Sequence, residues 1–341
     1  MKYCEGKTMC FRKPSVIAYA AVVGKAENEG PSGGEFDEVV EDNKAGSDTW
    51  EQAESLFQQR AVGHVLRKSG LEPDRIDLMI AGDLLNQCVG SSYGLKDYFI
   101  PYLGIYGACS TFAEGLLLSA ALVNAGYIDT AIASTSSHFS TAERQFRFPL
   151  NYGGVRTPTA QWTVTGAGAA ILAREGPGPY VTHCTLGKIT DKGITDTNNM
   201  GAAMAPAAAA TLLRYLTDTN TQPQEFDAIC TGDLGHVGSQ LFRELLAAEG
   251  LLLKNHVDCG SLLYDAEGQS VHSGASGPGC CAAVLCGHLL PRLERRGQRR
   301  VLFLATGALM SQTTFLQKES IPAISHLVEL AAPEEQNGGN T

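Results

Sequence analysis

Apolar residues along this chain fall into short continuous runs, separated by longer stretches in which they recur every three to four positions. Ser15–Val23 reads as a first buried strand, and the 49–68 stretch, from Thr49 to Lys68, as a helix. A short apolar strand follows within 71–84. Residues 112–124 form an apolar helix, and 129–135 another buried strand. The second part of the chain runs through a helix at 201–216, a short apolar strand within 221–234, a helix at 280–290 and a strand at 300–306. Buried strands alternating with helices predict parallel sheets covered on both faces. Glu27–Ser47 is polar, acidic and Gly-rich, and is expected as a surface loop. Phe139–Trp162 is expected as a second long loop, placed just after a strand end where binding sites are commonly built.

The pattern is duplicated. Pro73/Pro223, Asp77/Asp227, Gly82/Gly232, Asp83/Asp233 and Leu84/Leu234 all stand 150 positions apart. Each match follows a helix and spans a Pro turn, a strand and Gly-Asp-Leu. That shared order makes chance a poor account. Two halves are expected, 1–177 and 178–341, divided at Gly176-Pro-Gly-Pro179 and packed about a pseudo-twofold axis. Pro333–Thr341 reads as a polar tail.

The chain has 341 residues, 44% of them apolar, enough for a substantial core. Its formal net charge is −10, which argues against nonspecific nucleic-acid binding. The ten cysteines show no zinc-type spacing and no Cys-x-x-Cys pair, the usage of a reducing compartment. Lys2, Lys7, Arg12 and Lys13 ahead of an apolar run imitate a signal peptide. However, Ala18-Tyr19-Ala20 falls inside that run and leaves no room for a preceding apolar region. No stretch reads as a membrane span. The expectation is a soluble chain.

The densest candidate chemistry is Gly107-Ala-Cys-Ser110 at the start of the 112–124 helix. A cysteine at a helix N-terminus meets unpaired N–H groups and the positive end of the dipole. Its pKa is therefore expected to fall. The other reading is a buried cysteine that only packs. Thr165-Gly-Ala-Gly-Ala-Ala-Ile171 is not a dinucleotide motif, because Arg174–Pro177 arrives too soon for the helix that motif must open. It reads instead as a Gly-rich turn between two strands. His138 and His236, each at a predicted strand end, are expected to line a pocket, with His236 converging on Cys109; His272 is a weaker third candidate. Arg144 and Arg147 admit two readings. Glu143 neutralises one of them at the surface, or the pair, one helical turn apart, clamps a carboxylate.

These residues resemble the thiolase superfamily, the duplicated αβαβα fold of thiolases and ketoacyl synthases. Gly107–Ser110 resembles its nucleophile turn, Val164–Leu172 the segment closing its first half, and Gly235-His236 the position of the synthase histidine. A narrower resemblance runs over nearly the whole chain. Ile100–Thr111, His138 with Thr141–Arg147, Ala81–Gln87, Cys259–Asp265 and above all Pro158-Thr-Ala-Gln-Trp162 resemble the stage V sporulation AD family. That resemblance implies a five-layer α/β fold and a non-catalytic protein that binds dipicolinic acid (pyridine-2,6-dicarboxylic acid). It implies uptake of the ligand, with calcium, into the developing spore. The chain would sit peripherally at the spore inner membrane, beside membrane-embedded subunits of the same transport system, with no resident cofactor or metal. The superfamily resemblance adds a homodimer.

On this reading the ligand pocket draws on Cys109, His138, Arg144, Arg147, Gln161, Trp162 and His236. The related condensing enzymes use Cys-His-Asn, with His and Asn binding the thioester oxyanion. Here the turn that carries their Asn reads Gly274-Ala275-Ser276, and Ala275 has no donor. The competing reading is a synthase III-like condensing or thiolytic enzyme using Cys109 with a thioester substrate.

Overall fold

The computed structural model describes residues 6–146 and 156–333. Arg147, the stretch from it to residue 155 and the tail from residue 334 lie outside these described residues. The helix expected from Thr49 spans Trp50–Ser69. Thr49 caps it by accepting from the Gln52 amide while Gln52 reaches back, and Gly70 closes it in the left-handed region (φ 67°).

Two series of five strands follow each other along the chain. The first is Ser15–Gly24, Leu78–Gly82, Tyr102–Gly104, Thr130–Ser137 and Gly166–Ala173. The second is Tyr180–Thr185, Ala228–Thr231, His256–Asp258, Arg300–Ala308 and Ala323–Ala331. Numbered within its own series, each sheet has the strand order 1-5-4-2-3. Strands 4, 2 and 3 run parallel in both, and strand 5 runs antiparallel to both of its neighbours. The two sheets touch edge to edge through a single pairing, Ser15 with Tyr180.

The expected all-parallel sheets are thus mixed. A parallel neighbour needs a crossover that carries the chain back to the opposite end of the sheet. Between Ala308 and Ala323 only the short helix Gln312–Leu316 intervenes, so the chain re-enters from the same end.

Helices complete five layers. The Thr111–Ala125 and Pro278–Val284 helices lie between the sheets. There Phe112, Leu116 and Val284 pack with Ala170 of one sheet and Phe303 and Val328 of the other. Trp50–Ser69 covers the outer face of the first sheet through Phe57, Val62 and Val65. Met200–Thr219 covers the second through Met204, Leu212 and Tyr215. The 108–125 stretch is long and apolar enough by composition to cross a bilayer, but 67% of it is buried inside the protein.

Three sequence expectations need correction. Gly166–Ala173 is a fully buried central strand rather than a turn. Its glycines admit a close neighbour: a Cβ at Gly168 would lie 2.7 Å from the Ala282 side chain. The supposed surface loop after Gly24 holds the helix Lys25–Asn28 and the strand Glu38–Val40, which pairs with Val22–Gly24. Glu27 from it is buried, accepting from the Thr165 amide and the Tyr264 hydroxyl. Residues Phe139–Phe146 are helical rather than loop. Among the described residues, eight cysteines are free and Cys10 is in a disulfide.

Candidate functional site

The first sheet delivers the chain from Ile105 into the turn at Gly107–Ser110. Ala108 takes a left-handed backbone (φ 51°), a costly conformation that sharpens the bend. The turn is tied by its own hydroxyls. Ser110 Oγ donates to the Gly107 carbonyl (2.6 Å), and Thr111 Oγ1 donates to the Ala108 carbonyl (2.6 Å) while accepting from the Gly107 amide (3.0 Å). Cys109 comes out buried, at the floor of a narrow cleft of about 50 Å³ lined by Tyr106, Phe146, Thr163, Met200 and Met310 among others.

Facing the sulfur are residues of the second half. Ser276 Oγ lies 3.8 Å from Cys109 Sγ and donates to Asp233 Oδ2 (2.9 Å). The Gly277 amide also donates to Oδ2 (2.9 Å), and Thr306 Oγ1 donates to Oδ1 (2.7 Å). Asp233 is fully buried. Burial raises its pKa, and the donors around it hold that rise back. Cys281 Sγ approaches the Cys109 carbonyl at 3.4 Å.

This arrangement reverses the expected electrostatics of Cys109. Burial pushes its thiol well above the ordinary value, and the Asp233 charge adds to the effect. The sulfur precedes the first helical residue, Thr111, by two positions. Desolvation of an anion outweighs a helix dipole whose influence is confined to the first turn.

The other sequence candidates do not converge on Cys109. His138 is buried at the end of Thr130–Ser137, with Nε2 donating to the Asn43 carbonyl (2.9 Å) and Nδ1 accepting from the Ser140 amide (3.1 Å). Trp50 and Phe57 pack against its ring, and burial lowers its pKa. It is a locked neutral imidazole. Arg144 is exposed and pairs with Glu51 (2.9 Å), while Glu143 pairs instead with Arg156. Gln161 is buried and donates from Nε2 to the carbonyls of Asp233 (2.7 Å) and Ala275 (3.0 Å). It therefore braces the site from behind. Trp162 stacks on Phe139 (4.6 Å between ring centroids), with the Arg156 guanidinium 4.5 Å from its own centroid.

His236 is the clearest correction. It opens the Gly235–Ala248 helix and faces a separate cleft of about 560 Å³ with His272, Ser261, Asp265 and Glu267. The side chain that this connection brings to Cys109 is Asp233. Asp83 and Asp233 were visible in the sequence as a repeat match, and that was the available signal. Both are buried acceptors: Asp83 takes the Leu85 amide and both the amide and hydroxyl of Ser91. Ser276 and Thr306 left no sequence signal. Ala275 pairs with Trp162 in a short two-stranded ribbon, and it is the next residue that presents a hydroxyl to the sulfur. Among the described residues, no group of three or more His, Cys, Asp or Glu is placed to hold a metal ion.

Solved structures place this architecture. A single-residue variant of OleA from Xanthomonas campestris superposes with a TM-score of 0.62 at 14% identity, covering 95% of this chain and 99% of that one. 3-Oxoacyl-[acyl-carrier-protein] synthase III of Aquifex aeolicus VF5 gives 0.57 at 12% identity, covering 93% and 99%. The synthase III FabH of Pseudomonas aeruginosa PAO1 gives 0.59 at 15%, covering 95% and 99%. The fold is thiolase-like, the α/β architecture of these condensing enzymes.

The sequence is more specific than the fold. The family described as Stage V sporulation protein AD (SpoVAD) matches residues 5–331. Stage V sporulation protein AD of Bacillus subtilis (strain 168) is 42% identical over 328 residues, covering 96% of this chain and 97% of that protein. The chain belongs to the stage V sporulation protein AD family.

Proposed function

We propose that this sporulation-family protein binds dipicolinic acid at the mouth of the Cys109 cleft, serves its uptake with calcium into the developing spore, and catalyses no condensation. The observation carrying the non-catalytic reading is that the buried Cys109 thiol faces a carboxylate and a hydroxyl, where a synthase needs an imidazole and an amide. A thioester oxyanion formed there would meet like charge, and removing even one oxyanion donor costs about 10²–10³ in rate. The ligand follows from family membership and from its chemistry. It is a flat dianion that needs cationic donors for two carboxylates and a plane for its ring. Phe146 lines the cleft, and Arg147 is the next residue in the chain. We assign Arg147 to a ligand carboxylate and the Trp162–Arg156 stack to the rim.

Calorimetry is expected to show reversible dipicolinate binding, with isophthalate and benzoate far weaker. Arg147→Ala should weaken binding about tenfold or more, since a charge-assisted bond contributes about 1.5–3 kcal/mol. Incubation with acyl-CoA should leave the intact mass unchanged. No heat at millimolar dipicolinate removes the ligand reading, and an acyl adduct on Cys109 promotes the condensing enzyme in its place.

We also propose a homodimer through the first sheet's free edge, and a position beside membrane-embedded subunits at the spore inner membrane. Tyr102–Gly104 is exposed along its length and pairs with Leu78–Gly82 on one side. Tyr93, Phe99, Leu103 and Tyr106 leave apolar surface around it, Phe99 being 90% exposed. A second copy paired antiparallel on this strand covers both the open backbone groups and the apolar side chains. Light scattering should give a dimer mass, and Leu103→Lys a monomer. A monomeric parent protein overturns the dimer alone.

A further inference from the structure

We propose that Arg12, Asn124 and Arg174 form a second binding site, at the far end of the Thr111–Ala125 helix from Cys109, that takes a phosphate group, either free or on a lipid headgroup.

The site begins with the basic residues that imitate a signal peptide. In the fold their segment is a clamped edge. Thr8–Cys10 pairs antiparallel with His183–Thr185, the Phe11 amide donates to the Thr182 carbonyl (2.8 Å), and the Pro14 carbonyl accepts from the Val181 amide (2.9 Å). Arg12 is thus carried on backbone fixed from both sides. It lines a pocket of about 280 Å³ with Pro14, Asn124, Gly126 and Arg174. The 15-residue helix between this pocket and the cysteine turn is about 22 Å long, so the two sites are separate.

Three donor groups from three parts of the chain meet in the pocket. The Arg12 amide donates to Asn124 Oδ1 (2.6 Å), which settles how that side chain is turned: its oxygen is spent, and Nδ2 remains a donor. Among the described residues, no group hydrogen-bonds the Arg12 guanidinium. Arg174 follows the central strand Gly166–Ala173, and its Nη2 pairs with Asp129 (2.7 Å). The two side chains of that pair are 50% and 71% exposed, so the pair contributes little and yields to a stronger acceptor. Complementing the negative end of the helix dipole accounts for one arginine. It does not account for a second, unpaired one in the same pocket. The Leu122 and Val123 carbonyls are already closed by the Gly126 and Tyr127 amides and present no bare acceptors to a ligand.

The donor set fits phosphate. One guanidinium fork saturates the two oxygens of a carboxylate, whereas a phosphate monoester brings three oxygens and up to two charges to two guanidiniums and an amide. The pocket is slightly smaller than the ~300–1,000 Å³ of drug-sized ligand sites, which suits an ion or a headgroup. A chain of net charge −10 offers such a ligand little elsewhere.

The test is calorimetry with inorganic phosphate on the full chain, at ionic strength matched with sodium chloride. Saturable binding is expected in the parent, at least tenfold weaker in Arg12→Ala and in Arg174→Ala. Arg12→Lys should restore it only in part, because an ammonium keeps the charge but not the fork. Both arginines are exposed, so the variants should melt with the parent. Flotation with phosphatidylcholine vesicles containing phosphatidic acid, against phosphatidylcholine alone, distinguishes the sources. Flotation that needs both phosphatidic acid and the two arginines assigns a headgroup, and phosphate binding without it assigns a free ion or ester. Absence of both phosphate heat and flotation overturns the site, as does binding that survives in the Arg12→Ala, Arg174→Ala double variant. A double variant that loses dipicolinate in place of phosphate overturns the phosphate assignment.

Discussion

Gly168→Ala is expected to destabilise the protein by about 3 kcal/mol, and Gly168→Val to abolish soluble expression. Gly168 sits in the central strand Gly166–Ala173, paired on both sides, with the Pro278–Val284 helix pressed against it. An added Cβ would lie 2.7 Å from the Ala282 Cβ and 2.8 Å from its carbonyl carbon and oxygen. Two of those three atoms are backbone, so no rotamer change relieves the clash. The helix must move, and with it the mid-layer that carries Ser276, Gly277 and Cys281 to Cys109. Thermal melting and soluble yield measure this. A Gly168→Ala protein that melts with the parent would show that the helix can retreat at little cost.

Glu329→Gln is the second large effect, about 3–5 kcal/mol, the usual result of removing one partner from a buried ion network. Glu329 on the last strand is buried. It accepts from the Tyr215 hydroxyl (2.7 Å), His183 Nδ1 (2.5 Å) and Arg300 Nε (2.8 Å). Burial acts to raise its pKa, but the hydrogen bonds and charges of His183, Tyr215 and Arg300 outweigh it and hold the carboxyl down at about 2. A carboxylate depressed in the folded state contributes stability that is fully present above its unfolded value, near 4.5, and lost as pH falls towards 2. The parent should therefore lose stability steeply across that window. Glu329→Gln should be weaker at neutral pH and flatter below pH 4.5. Urea unfolding from about pH 3 to 7 checks the sign, and parallel curves for the two proteins would refute it.

Local patterns carried much of the fold. The apolar run from Ser15, the capped helix after Thr49 and the repeat linking Pro73 with Pro223 and Gly82 with Gly232 each express short-range chemistry that the chain states directly. The equal 1-5-4-2-3 strand order of the two sheets follows the same repetition. Where reading failed, the deciding contact was distant. Gly-rich Thr165–Ile171 looked like a turn, because glycine marks turns locally, and only the Ala282 approach explains it as a strand. Arg144 looked available until Glu51, 93 positions earlier, took it. His236 was expected to converge on Cys109, yet the chain turns at Gly235 (φ 64°) and it lines a separate cleft, while Ser276, backed by Asp233, faces the sulfur.

By itself, then, the sequence determined the family, the duplicated α/β architecture and the cysteine turn, because motif, period and cap chemistry act within a few residues. Only the tertiary structure decided what that cysteine is. Whether a sulfur becomes an anion depends on how deeply it is buried and which charges face it. Ser276 reaches Cys109 from the other half of the chain, with Asp233 and Thr306 behind it, so nothing near Cys109 in the sequence announces them.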